Sequence, residues 1–251
     1  MQVMLNARQQ QIKERLELLG EVKIGEMKDF FGVTEMTIRR DLEKLEQIGL
    51  LRRTFGGAIM IGKDVALKDR ADLWTEEKSR IGRRAADLIQ AGDSVFIDGG
   101  TTTVQIVRAL KPRSNITVVT NALNVASELI SKKISTIVIG GTMLETTSTM
   151  VGPIAAATIS SMSFDRIFLG ATGITSKHGY SNSNMYEAEI KKLAIRQATE
   201  VNIVVDQTKF GAKMLASFGE LSKADRIITD RLPESELMTA CREASVELLE
   251  S

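Results

Sequence analysis

Six consecutive residues, Asp98 to Thr103, combine side chains that bind phosphate and hydroxyl groups. They read "DGGTTT" and stand between an apolar run and a helical pattern. Glycines let a ligand approach the backbone, threonine hydroxyls donate hydrogen bonds, and a helix N-terminus favours an anion. The segment therefore predicts a phosphate-binding turn, whose members are Gly99, Gly100, Thr101, Thr102 and Thr103.

Comparable residues follow other apolar runs further along the chain. Ligands of open parallel sheets bind outside the carboxyl ends of the strands, so we expect these residues to lie close together. Asp98 and Asn121 can bind sugar hydroxyls, and Lys209 offers a cation. The set suits a phosphorylated polyol. The other candidates of this kind are Thr120, Gly140, Gly141, Gly170, Thr172 and Asp206.

Several of these residues also have a simpler interpretation. Glycine and threonine at strand ends are commonly turn formers, and Gly140 and Gly141 are expected to be turn formers first. Asp206 and Lys209 could instead be surface residues or could pair with each other. The turn itself lacks the Gly-Lys-Ser/Thr ending of a P-loop and the G-x-G-x-x-G spacing of dinucleotide sites, so it predicts neither.

The region from 178 to 191 adds two further pairs of residues. Glu187 and Lys191 stand four residues apart, the spacing of an ordinary salt bridge along a helix. His178 and Tyr180 lie in a glycine-rich stretch and are expected to be loop residues. The residues alone therefore predict no chemical role for either pair.

Short apolar runs rich in Val and Ile precede most of these polar residues. Unbroken rather than alternating apolar runs indicate strands of a parallel sheet that helices cover on both faces. The sequence thus predicts an α/β domain of roughly six strands over residues 74–251. The runs lie in "GDSVFIDGGTTT", "NITVVTNALN", "STIVIGGT", "FDRIFLGATG", "EVNIVVDQTKFG" and "ADRIITD".

A helical pattern, "WTEEKSRIGRRAADLIQAG", comes before the first of these runs. It is expected to pack against the sheet as the first layer of helices. Residues 60–73 would then be a linker. The apolar residues of the helix are Trp74, Ile81, Ala85, Leu88 and Ile89.

A second chemistry, contact with DNA, is suggested by residues 33–58, "VTEMTIRRDLEKLEQIGLLRRTFGGA". Thr34 can cap a helix and Gly49 can end it, which predicts a helix over 34–48. At about 100° per residue, such a helix has one apolar and one polar face. The apolar face carries Ile38, Leu42 and Leu45, and the polar face carries Met36 and Arg40, flanked by Thr37, Glu43 and Lys44.

Two shorter helical patterns, "ARQQQIKERLELLG" and "IGEMKDFFG", precede this helix, and "LLRRTF" with "GAIMI" follows as a hairpin. Three helices and a hairpin form a winged helix-turn-helix, whose third helix enters the major groove of DNA. Met36, Thr37 and Arg40 are placed to meet base edges, and the other basic residues to meet phosphates. The predicted DNA-binding residues are Thr34, Met36, Thr37, Arg39, Arg40, Lys44, Arg52 and Arg53.

Overall charge gives no support to this interpretation. The net charge is +1, and basic and acidic residues nearly balance within residues 1–62. An Arg-Arg pair such as Arg39 and Arg40 is, taken alone, more typical of a solvated helix face. A capped third helix followed by a basic hairpin at this spacing nevertheless favours DNA binding.

Composition narrows the class of protein. With 251 residues, 43% of them hydrophobic, the chain can bury a sizeable core. No apolar run reaches the roughly 18 residues of a membrane helix, and the N-terminus lacks the apolar block of a signal peptide, so a cytoplasmic protein is expected. The single cysteine, Cys241, cannot form an internal disulfide, and His178 has no cysteine nearby for zinc. No metal or cofactor is therefore predicted.

Residues 8–59 resemble the winged helix-turn-helix of the DeoR family of bacterial transcriptional regulators, through the 26-residue segment quoted above. Residues 75–251 resemble the C-terminal sensor domain of the same family. This resemblance implies a fold similar to ribose-5-phosphate isomerase and CoA transferases. It also implies a repressor of sugar catabolism that responds to a phosphorylated sugar or a related metabolite.

The resemblance assigns family roles to several positions. "DGGTTT" is similar to the family's phosphate-binding turn, Thr120 with Asn121 to its second loop, and Gly140 with Gly141 to its third. Glu187 and Lys191 match its E-x-x-x-K helix, which implies that these two residues belong to the effector site. "DQTKFG" is similar to the family's last site loop. The chain departs from the family at Gln207 and Thr208, where "DSSKFG" is usual, and at Lys192, where arginine is common.

Two functions from different classes remain open on these grounds. The first is a repressor in which effector binding shifts the placement of the DNA-reading heads. The alternative is a sugar-phosphate isomerase, with Asp98, Glu187 or Asp206 as the base and Lys209 stabilising an enediolate. A DNA-reading head has no place in an isolated metabolic isomerase, which favours the regulator.

A single recognition helix covers only a few base pairs. Specific operators are usually read by paired heads on half-sites about one helical turn apart, or a multiple of it. We therefore expect at least a homodimer, with a tetramer implied by the resemblance, assembled through the C-terminal domain.

Overall fold

The structure, a computed structural model, describes residues 5–19, 21–48, 50–60, 67, 74–112 and 115–251. The chain divides into two compact units, Met1–Leu73 and Trp74–Ser251. The described part of the first unit contains α1 (Ala7–Leu19), β1 (Glu21–Lys23), α2 (Ile24–Phe31), α3 (Glu35–Gln47), β2 (Leu51–Thr54) and β3 (Gly57–Met60).

The ends of α2 and α3 follow the local sequence signals. Gly32 ends α2 in the left-handed conformation, with φ 62°, where a side chain would be strained. Thr34 caps α3 by accepting a hydrogen bond from the backbone N–H of Thr37 at 3.3 Å. The predicted third helix is therefore confirmed, while Gly49, its predicted end signal, lies outside the described residues.

The core of the first unit forms where the apolar stripes of its helices meet. The stripe predicted for α3 is fully buried, and it packs with residues of α1 and α2. This packing fixes the rotation of α3 and so decides which of its side chains face solvent. The core includes Ile12, Leu16, Met27, Ile38, Leu42 and Leu45.

The predicted hairpin is present as β2 and β3, and a third strand joins it. The sheet order is β1-β3-β2, with antiparallel pairing throughout. Gly57 of β3 pairs with Lys23, and a Cβ at Gly57 would lie only 1.8 Å from the Val22 carbonyl oxygen. The strand β1 spans only three residues, too few for a period-two pattern to be recognised.

The second unit alternates strands with helices. Its described elements are α4 (Thr75–Ala86), β4 (Ser94–Ile97), α5 (Thr103–Ala109), β5 (Thr117–Thr120), α6 (Leu123–Lys132), β6 (Ser135–Val138), β7 (Thr142–Leu144), β8 (Thr149–Val151), α7 (Pro153–Ser160), β9 (Phe164–Leu169), β10 (Gly173–Thr175), β11 (Gly179–Asn182), α8 (Met185–Arg196), β12 (Ala198–Val204), β13 (Ala216–Gly219), β14 (Arg226–Thr229), α9 (Ser235–Glu243) and β15 (Glu247–Glu250). Short 3-10 helices lie at Gln207–Lys209 and Leu221–Lys223.

The main sheet contains seven parallel strands in the order β15-β14-β12-β9-β4-β5-β6. The six strands predicted from apolar runs are all present, and β15 extends one edge. Two separate hydrophobic clusters contain residues of the central strands, as expected for a sheet buried on both faces. The predicted α/β class is therefore confirmed.

The helix predicted before the first strand is α4, which packs against α5. Ile81 and Ala85 are fully buried, and Leu88 and Ile89 pack partly buried after the helix ends. Trp74 was expected to be part of this apolar face, but it is 41% exposed. It stands at the N-cap, before the helical repeat begins, so the spacing argument does not apply to it.

A second small sheet, β10-β11-β13, includes Tyr180, which was expected to be a loop residue. Tyr180 lies in β11, fully buried, and its hydroxyl donates a hydrogen bond to the Leu221 carbonyl at 3.0 Å. The expectation that Tyr180 is a loop residue was wrong, because strands of three or four residues with polar sequences escape a periodicity test. His178 does lie in the turn between β10 and β11, where its ring meets the Met214 carbonyl at 3.0 Å.

The predicted linker, residues 60–73, lies outside the described residues except for 60 and 67. Within the described part of the chain, no helix is both long and apolar enough to cross a membrane.

Candidate functional site

The polar face of α3 projects into solvent. Met36 is 59% exposed, and Arg39, Arg40 and Lys44 are exposed as well. Because the opposite stripe is buried in the core, these four side chains must point away from it. A helix with one face anchored and cationic groups on the other is what major-groove recognition requires.

Two of the predicted DNA-binding threonines are engaged at the start of α3. The hydroxyl oxygens of Thr34 and Thr37 lie 3.0 Å apart, within hydrogen-bond distance. Thr34 is exposed and Thr37 is half-buried. Both hydroxyls thus lie at the N-terminal end of α3, the end that reads bases in helix-turn-helix proteins.

Arg53 is bound to α3. Its Nε lies 2.7 Å from Glu46 Oε2, and its backbone N–H donates to Glu46 Oε1 at 2.8 Å. Arg53 therefore fastens β2 to the recognition helix, in addition to any contact with phosphate. Arg52 lies in β2, and its side chain is outside what the structure describes.

Asp41 is a positioning residue that the sequence interpretation missed. It is buried in α3, where its carboxylate accepts hydrogen bonds from Arg8 Nε and, at 2.9 Å, from Gln9 Nε2. These contacts tie α3 to α1. The signal was present in the sequence, because Asp41 falls on the same helix face as Ile38 and Leu42, and a buried carboxylate needs partners.

The second unit gathers its candidate residues at one edge of the main sheet. Parallel strands end at the same edge, and β12, β9, β4 and β5 are consecutive neighbours. Asp206, Gly170, Asp98 and Asn121 follow these four strands in that order across the sheet. The predicted effector-binding residues thus lie on adjacent strand ends.

The turn between β4 and α5 is tightly enclosed. Thr101, Thr102 and Thr103 are all buried, and α5 begins at Thr103. Gly99 has no room for a side chain, because a Cβ there would lie 2.3 Å from Thr149 Cγ2 and 3.0 Å from Ala122 Cβ. The Thr103 hydroxyl oxygen is buried without a hydrogen-bond partner in the described residues. The turn thus contains a polar group that a ligand could satisfy.

A buried ion pair lies beneath this turn. Lys191 Nζ is 3.0 Å from Asp98 Oδ2, and both side chains are 4% exposed. The same ammonium donates to the Gly170 carbonyl at 2.6 Å and to Asn182 Oδ1 at 3.1 Å. Burial raises the pKa of the Asp98 carboxyl above its usual value; Lys191 opposes this shift, and the charge of Glu187 adds to it. Lys191 therefore holds Asp98 in place with all three of its donors engaged.

Glu187 continues the network toward β8. Its Oε1 accepts a hydrogen bond from the Thr149 hydroxyl at 3.0 Å, and Thr149 in turn lies 2.8 Å from the hydroxyl of Thr147. Its Oε2 is 3.4 Å from Asn182 Nδ2. The simpler interpretation of Glu187 and Lys191, an ordinary salt bridge with each other, was wrong: both are buried, and Lys191 pairs with Asp98.

Asn182 and Thr149 belong to this site although neither was predicted from the sequence. Asn182 lies in β11, in the segment expected to be a loop, and Thr149 lies in the short strand β8. Both enter the site through antiparallel pairs outside the main sheet. No motif in the sequence could have placed them beside Glu187.

The loop after β5 and the first turn of α6 each contribute one carboxamide. Asn121 Nδ2 donates to the Met150 carbonyl at 2.9 Å, and Asn124 Nδ2 donates to the Gly100 carbonyl at 3.0 Å. The carboxamide oxygens of both residues are buried and have no hydrogen-bond partner among the described residues. Thr120, also buried, accepts a hydrogen bond from the backbone N–H of Ala122 and so shapes the loop.

Asp206 and Lys209 do pair with each other, one of the two simpler interpretations. Asp206 Oδ2 lies 3.4 Å from Lys209 Nζ, and Asp206 Oδ1 accepts from the Thr208 backbone N–H at 3.0 Å. Burial opposes ionisation, but Lys209, the hydrogen bonds from Thr208 and the charge of Lys78 lower the pKa of Asp206. Asp206 is therefore a buried carboxylate with cations around it. Lys78, itself buried, is a further residue that the sequence interpretation missed.

The remaining glycine positions behave as turn or close-packing residues. Gly141 has φ 150°, and a Cβ there would lie 2.6 Å from the Val151 carbonyl oxygen, so it serves the turn into β7. Gly140 is exposed, with nothing within 4 Å of a Cβ. Gly170 donates its N–H to Asp98 Oδ2 at 3.2 Å, and the N–H of Thr172 bonds to the Ser181 carbonyl at 3.0 Å.

The arrangement can bind a small polar molecule. It offers buried carboxylates for hydroxyl donors, threonine hydroxyls and a lysine for an anion, and two carboxamide oxygens for further hydroxyls. No group of three or more His, Cys, Asp or Glu side chains is placed to hold a metal ion within the described residues.

Comparison with known proteins assigns both units to one family. The model of the DeoR-like helix-turn-helix domain matches residues 8–64, and that of the DeoR C terminal sensor domain matches residues 74–231. The HTH-type transcriptional regulator IolR of Bacillus subtilis is 34% identical, over 94% of this chain and 96% of IolR. The glycerol-3-phosphate regulon repressor of Escherichia coli is 34% identical, over 94% of this chain and 95% of the repressor.

Among solved structures, ribose 5-phosphate isomerase A of Methanocaldococcus jannaschii is similar in fold, with a TM-score of 0.42 and 14% identity. The similarity covers 55% of this chain and 56% of the isomerase. The resemblance noted from the sequence is confirmed by the family models and by the full-length relatives. The chain belongs to the DeoR family of helix-turn-helix transcriptional regulators.

Proposed function

We propose that this regulator represses a sugar or polyol catabolic operon and that a phosphorylated sugar or related metabolite, bound in the second unit, controls its hold on the operator. One observation carries the proposal. Asp98, which pairs with buried Lys191, follows β4, and Asn121 follows the neighbouring strand β5; polar atoms of Asn121 and of Thr103 are buried without a partner in the described residues. A buried polar group without a hydrogen bond costs free energy, which a hydroxylated ligand would recover.

The effector residues divide by chemistry. Gly99 to Thr103 and Lys209 bind the phosphate, because the turn supplies N–H and hydroxyl donors and the lysine supplies a cation. Asp98, Asn121 and Asp206 bind hydroxyl groups. Glu187 and Lys191 position these residues, since their buried contacts are to protein atoms. Thr120, Gly140, Gly141, Gly170 and Thr172 shape the loops around the ligand.

The name of one full-length relative supports this effector class. The relative is the glycerol-3-phosphate regulon repressor of Escherichia coli, and glycerol 3-phosphate is a phosphorylated polyol. The isomerase alternative is not retained, because both family models and the full-length relatives are of transcriptional regulators.

The DNA contacts divide in the same way. Met36, Thr37 and Arg40 meet base edges, with Thr34 at the helix end closest to them. Arg39, Lys44, Arg52 and Arg53 meet phosphates, which adds affinity without sequence preference. Residues 60–73 link residues 1–59 to the sensor domain, residues 74–251. The protein acts in the cytoplasm as a homodimer or homotetramer, so that two heads reach paired half-sites.

The proposal is tested by fluorescence anisotropy with a labelled duplex from the DNA upstream of the protein's own gene. A panel of sugar and polyol phosphates is titrated, with the unphosphorylated compounds as controls. At least one phosphorylated compound is expected to change operator affinity tenfold or more, a coupling typical of allosteric regulators.

A matched pair of variants locates the effector site. Lys209→Met should abolish the response while leaving operator affinity intact, whereas Lys213→Met, an exposed lysine of the same loop, should respond like the wild type. Loss of DNA binding in folded Lys209→Met would contradict the sensor role. If the protein bound the upstream duplex no more tightly than random DNA, the proposal that it binds an operator there would be contradicted.

A further inference from the structure

The first turn of α4 carries a lysine that no sequence motif singled out. Lys78 is 3% exposed, and a buried lysine is rare unless its ammonium group has partners. Helix α4 packs against β12 and β14 as well as α5. Asp206 follows β12, and the charge of Lys78 acts on its carboxylate. Lys78 thus lies on the buried side of α4, the helix that packs against β12 and β14.

Glu77, the residue before Lys78 in the first turn of α4, acts on a second aspartate, Asp230. Asp230 follows β14 and accepts a hydrogen bond from the Gln207 backbone N–H at 2.7 Å. Burial raises the pKa of Asp230, and the charges of Asp206 and Glu77 add to the rise. Helix α4 thus packs against the two strands, β12 and β14, that Asp206 and Asp230 follow.

Helix α4 also adjoins the other half of the effector site. A Cβ at Gly82 would lie 2.4 Å from Gln105 Cβ, so α4 and α5 are pressed together at this point. Helix α5 begins at Thr103, the last residue of the phosphate-binding turn proposed above. A displacement of α4 is therefore felt both at that turn and at the 206–209 loop.

The residue before this first turn has a strained backbone. Trp74 adopts the left-handed conformation, with φ 55°, which is unfavourable for a bulky side chain. Its carbonyl accepts the backbone N–H of Lys78 at 2.9 Å. Trp74 is also the first residue of the second unit, directly after the segment that leads from the DNA-binding unit. Strain is thus stored where the two units are joined, one helical turn from Lys78.

We propose that Lys78 couples the effector site to the chain junction at Trp74. The inference rests on the proposed function, in that the effector carries a phosphate. A phosphate held by Lys209 and the turn at Thr103 competes with Asp206 for both lysines. When Lys78 shifts toward the phosphate, the first turn of α4 follows it, and the strained conformation of Trp74 relaxes. The change at Trp74 is then passed along the chain to the DNA-binding unit.

Trp74 is the single tryptophan of the chain, so its fluorescence reports on the junction directly. The experiment titrates the full-length protein with inorganic phosphate at millimolar concentration and with the panel of sugar phosphates. Calorimetry measures binding, tryptophan emission measures the junction, and operator anisotropy measures DNA release. The variants are Lys78→Met, Lys78→Arg, and Arg84→Met, an exposed cation of the same helix. Circular dichroism checks that each variant is folded.

Wild type and Arg84→Met should show a binding heat, an emission change and DNA release at the same ligand concentrations. Lys78→Met should bind the ligand within about tenfold of wild type, yet lose the emission change and most of the release. Lys78→Arg should retain part of the emission change and part of the DNA release. It replaces Lys78→Met in the test if Lys78→Met does not fold.

Two results would overturn the inference while leaving the effector class intact: binding by wild type without any change in emission, or an unchanged emission response in the Lys78 variants. If no phosphorylated compound binds the wild type at all, the proposed effector class fails, and the coupling through Lys78 fails with it.

Discussion

The Lys191 ammonium group lies 3.0 Å from the Asp98 carboxylate, and protein atoms surround both. Helix α8 supplies the lysine, and the aspartate directly follows strand β4. Such a pair tolerates burial only because additional hydrogen bonds satisfy both groups, here from Gly170 and Asn182. It fixes the floor of the proposed effector site before any ligand arrives.

Breaking this pair should be costly. Lys191→Met leaves Asp98 as a buried carboxylate without its cation, so the free energy of unfolding should fall by about 3–5 kcal/mol. Urea unfolding followed by circular dichroism measures it. The double variant Lys191→Met, Asp98→Asn removes both charges and should recover part of the loss. If the double variant were less stable than Lys191→Met alone, the unpaired charge of Asp98 would not be the cause of the loss.

The two site aspartates should contribute oppositely to the pH dependence of stability. The folded pKa of Asp206 is below its ordinary 3.8, so its contribution is present above that value and lost as pH falls through the folded pKa. The folded pKa of Asp98 is above 3.8, so its contribution is lost as pH rises from that value through the folded pKa.

Unfolding free energies measured from pH 3 to pH 7 test this assignment. Asp206→Asn should flatten the loss of stability at the acid end. Asp98→Asn should remove a loss that sets in as pH rises above about 4. If both variants changed the pH profile in the same direction, the assigned directions of the two pKa shifts would be contradicted.

The close approach at Gly99 predicts a strong effect of a single methyl group. Gly99→Ala places a Cβ against Thr149 Cγ2, and Thr149 cannot rotate freely because its hydroxyl is bound to Glu187. We expect a loss of about 1–3 kcal/mol in stability, together with weakened effector response. Gly140→Ala, with open space around it, is the matched control and should leave stability unchanged. Thr149→Ser removes the clashing methyl and should partly rescue Gly99→Ala, and the absence of any rescue would reject the steric explanation.

On α3, base and phosphate contacts should separate by salt dependence. Arg40→Ala should weaken operator binding roughly tenfold or more while changing nonspecific binding less. Lys44→Ala should weaken both and reduce the salt slope by about one. Anisotropy on operator and random duplexes at several salt concentrations measures both effects. Equal losses and equal slopes in the two variants would reject the division of roles.

The contact of Arg53 with Glu46 makes a prediction for the wing. Glu46→Gln weakens the ion pair and frees the Arg53 guanidinium for phosphates, so nonspecific DNA binding should rise a few-fold and discrimination should fall. Glu43→Gln removes an exposed carboxylate from the same helix and controls for the change in charge. If the two variants have the same effect, the rise reflects net charge and not release of Arg53.

Much of the fold could be predicted because its signals are local. Thr34, Gly32 and the apolar stripe of α3 act within one or two turns, and each strand of the main sheet that has an unbroken apolar run was recognisable. The strands that were missed, β1, β7, β8, β10, β11, β13 and β15, are three or four residues long and lack the unbroken apolar runs rich in Val and Ile that mark the equally short β4, β5 and β6. Short strands without such a run form because partners elsewhere in the chain bind them, which no local pattern reveals.

The sequence by itself determined the two chemistries of this protein, a recognition helix with outward arginines and a set of small polar residues at the ends of parallel strands. Tertiary structure alone decided the contacts among them. In the folded protein Lys191 pairs with Asp98 and not with Glu187, and Arg53 pairs with Glu46. Asn182 and Lys78 are buried near the site, although no sequence motif indicated them. The reason is that a buried charge takes whichever partners the packing brings within reach, and those partners are distant in the chain.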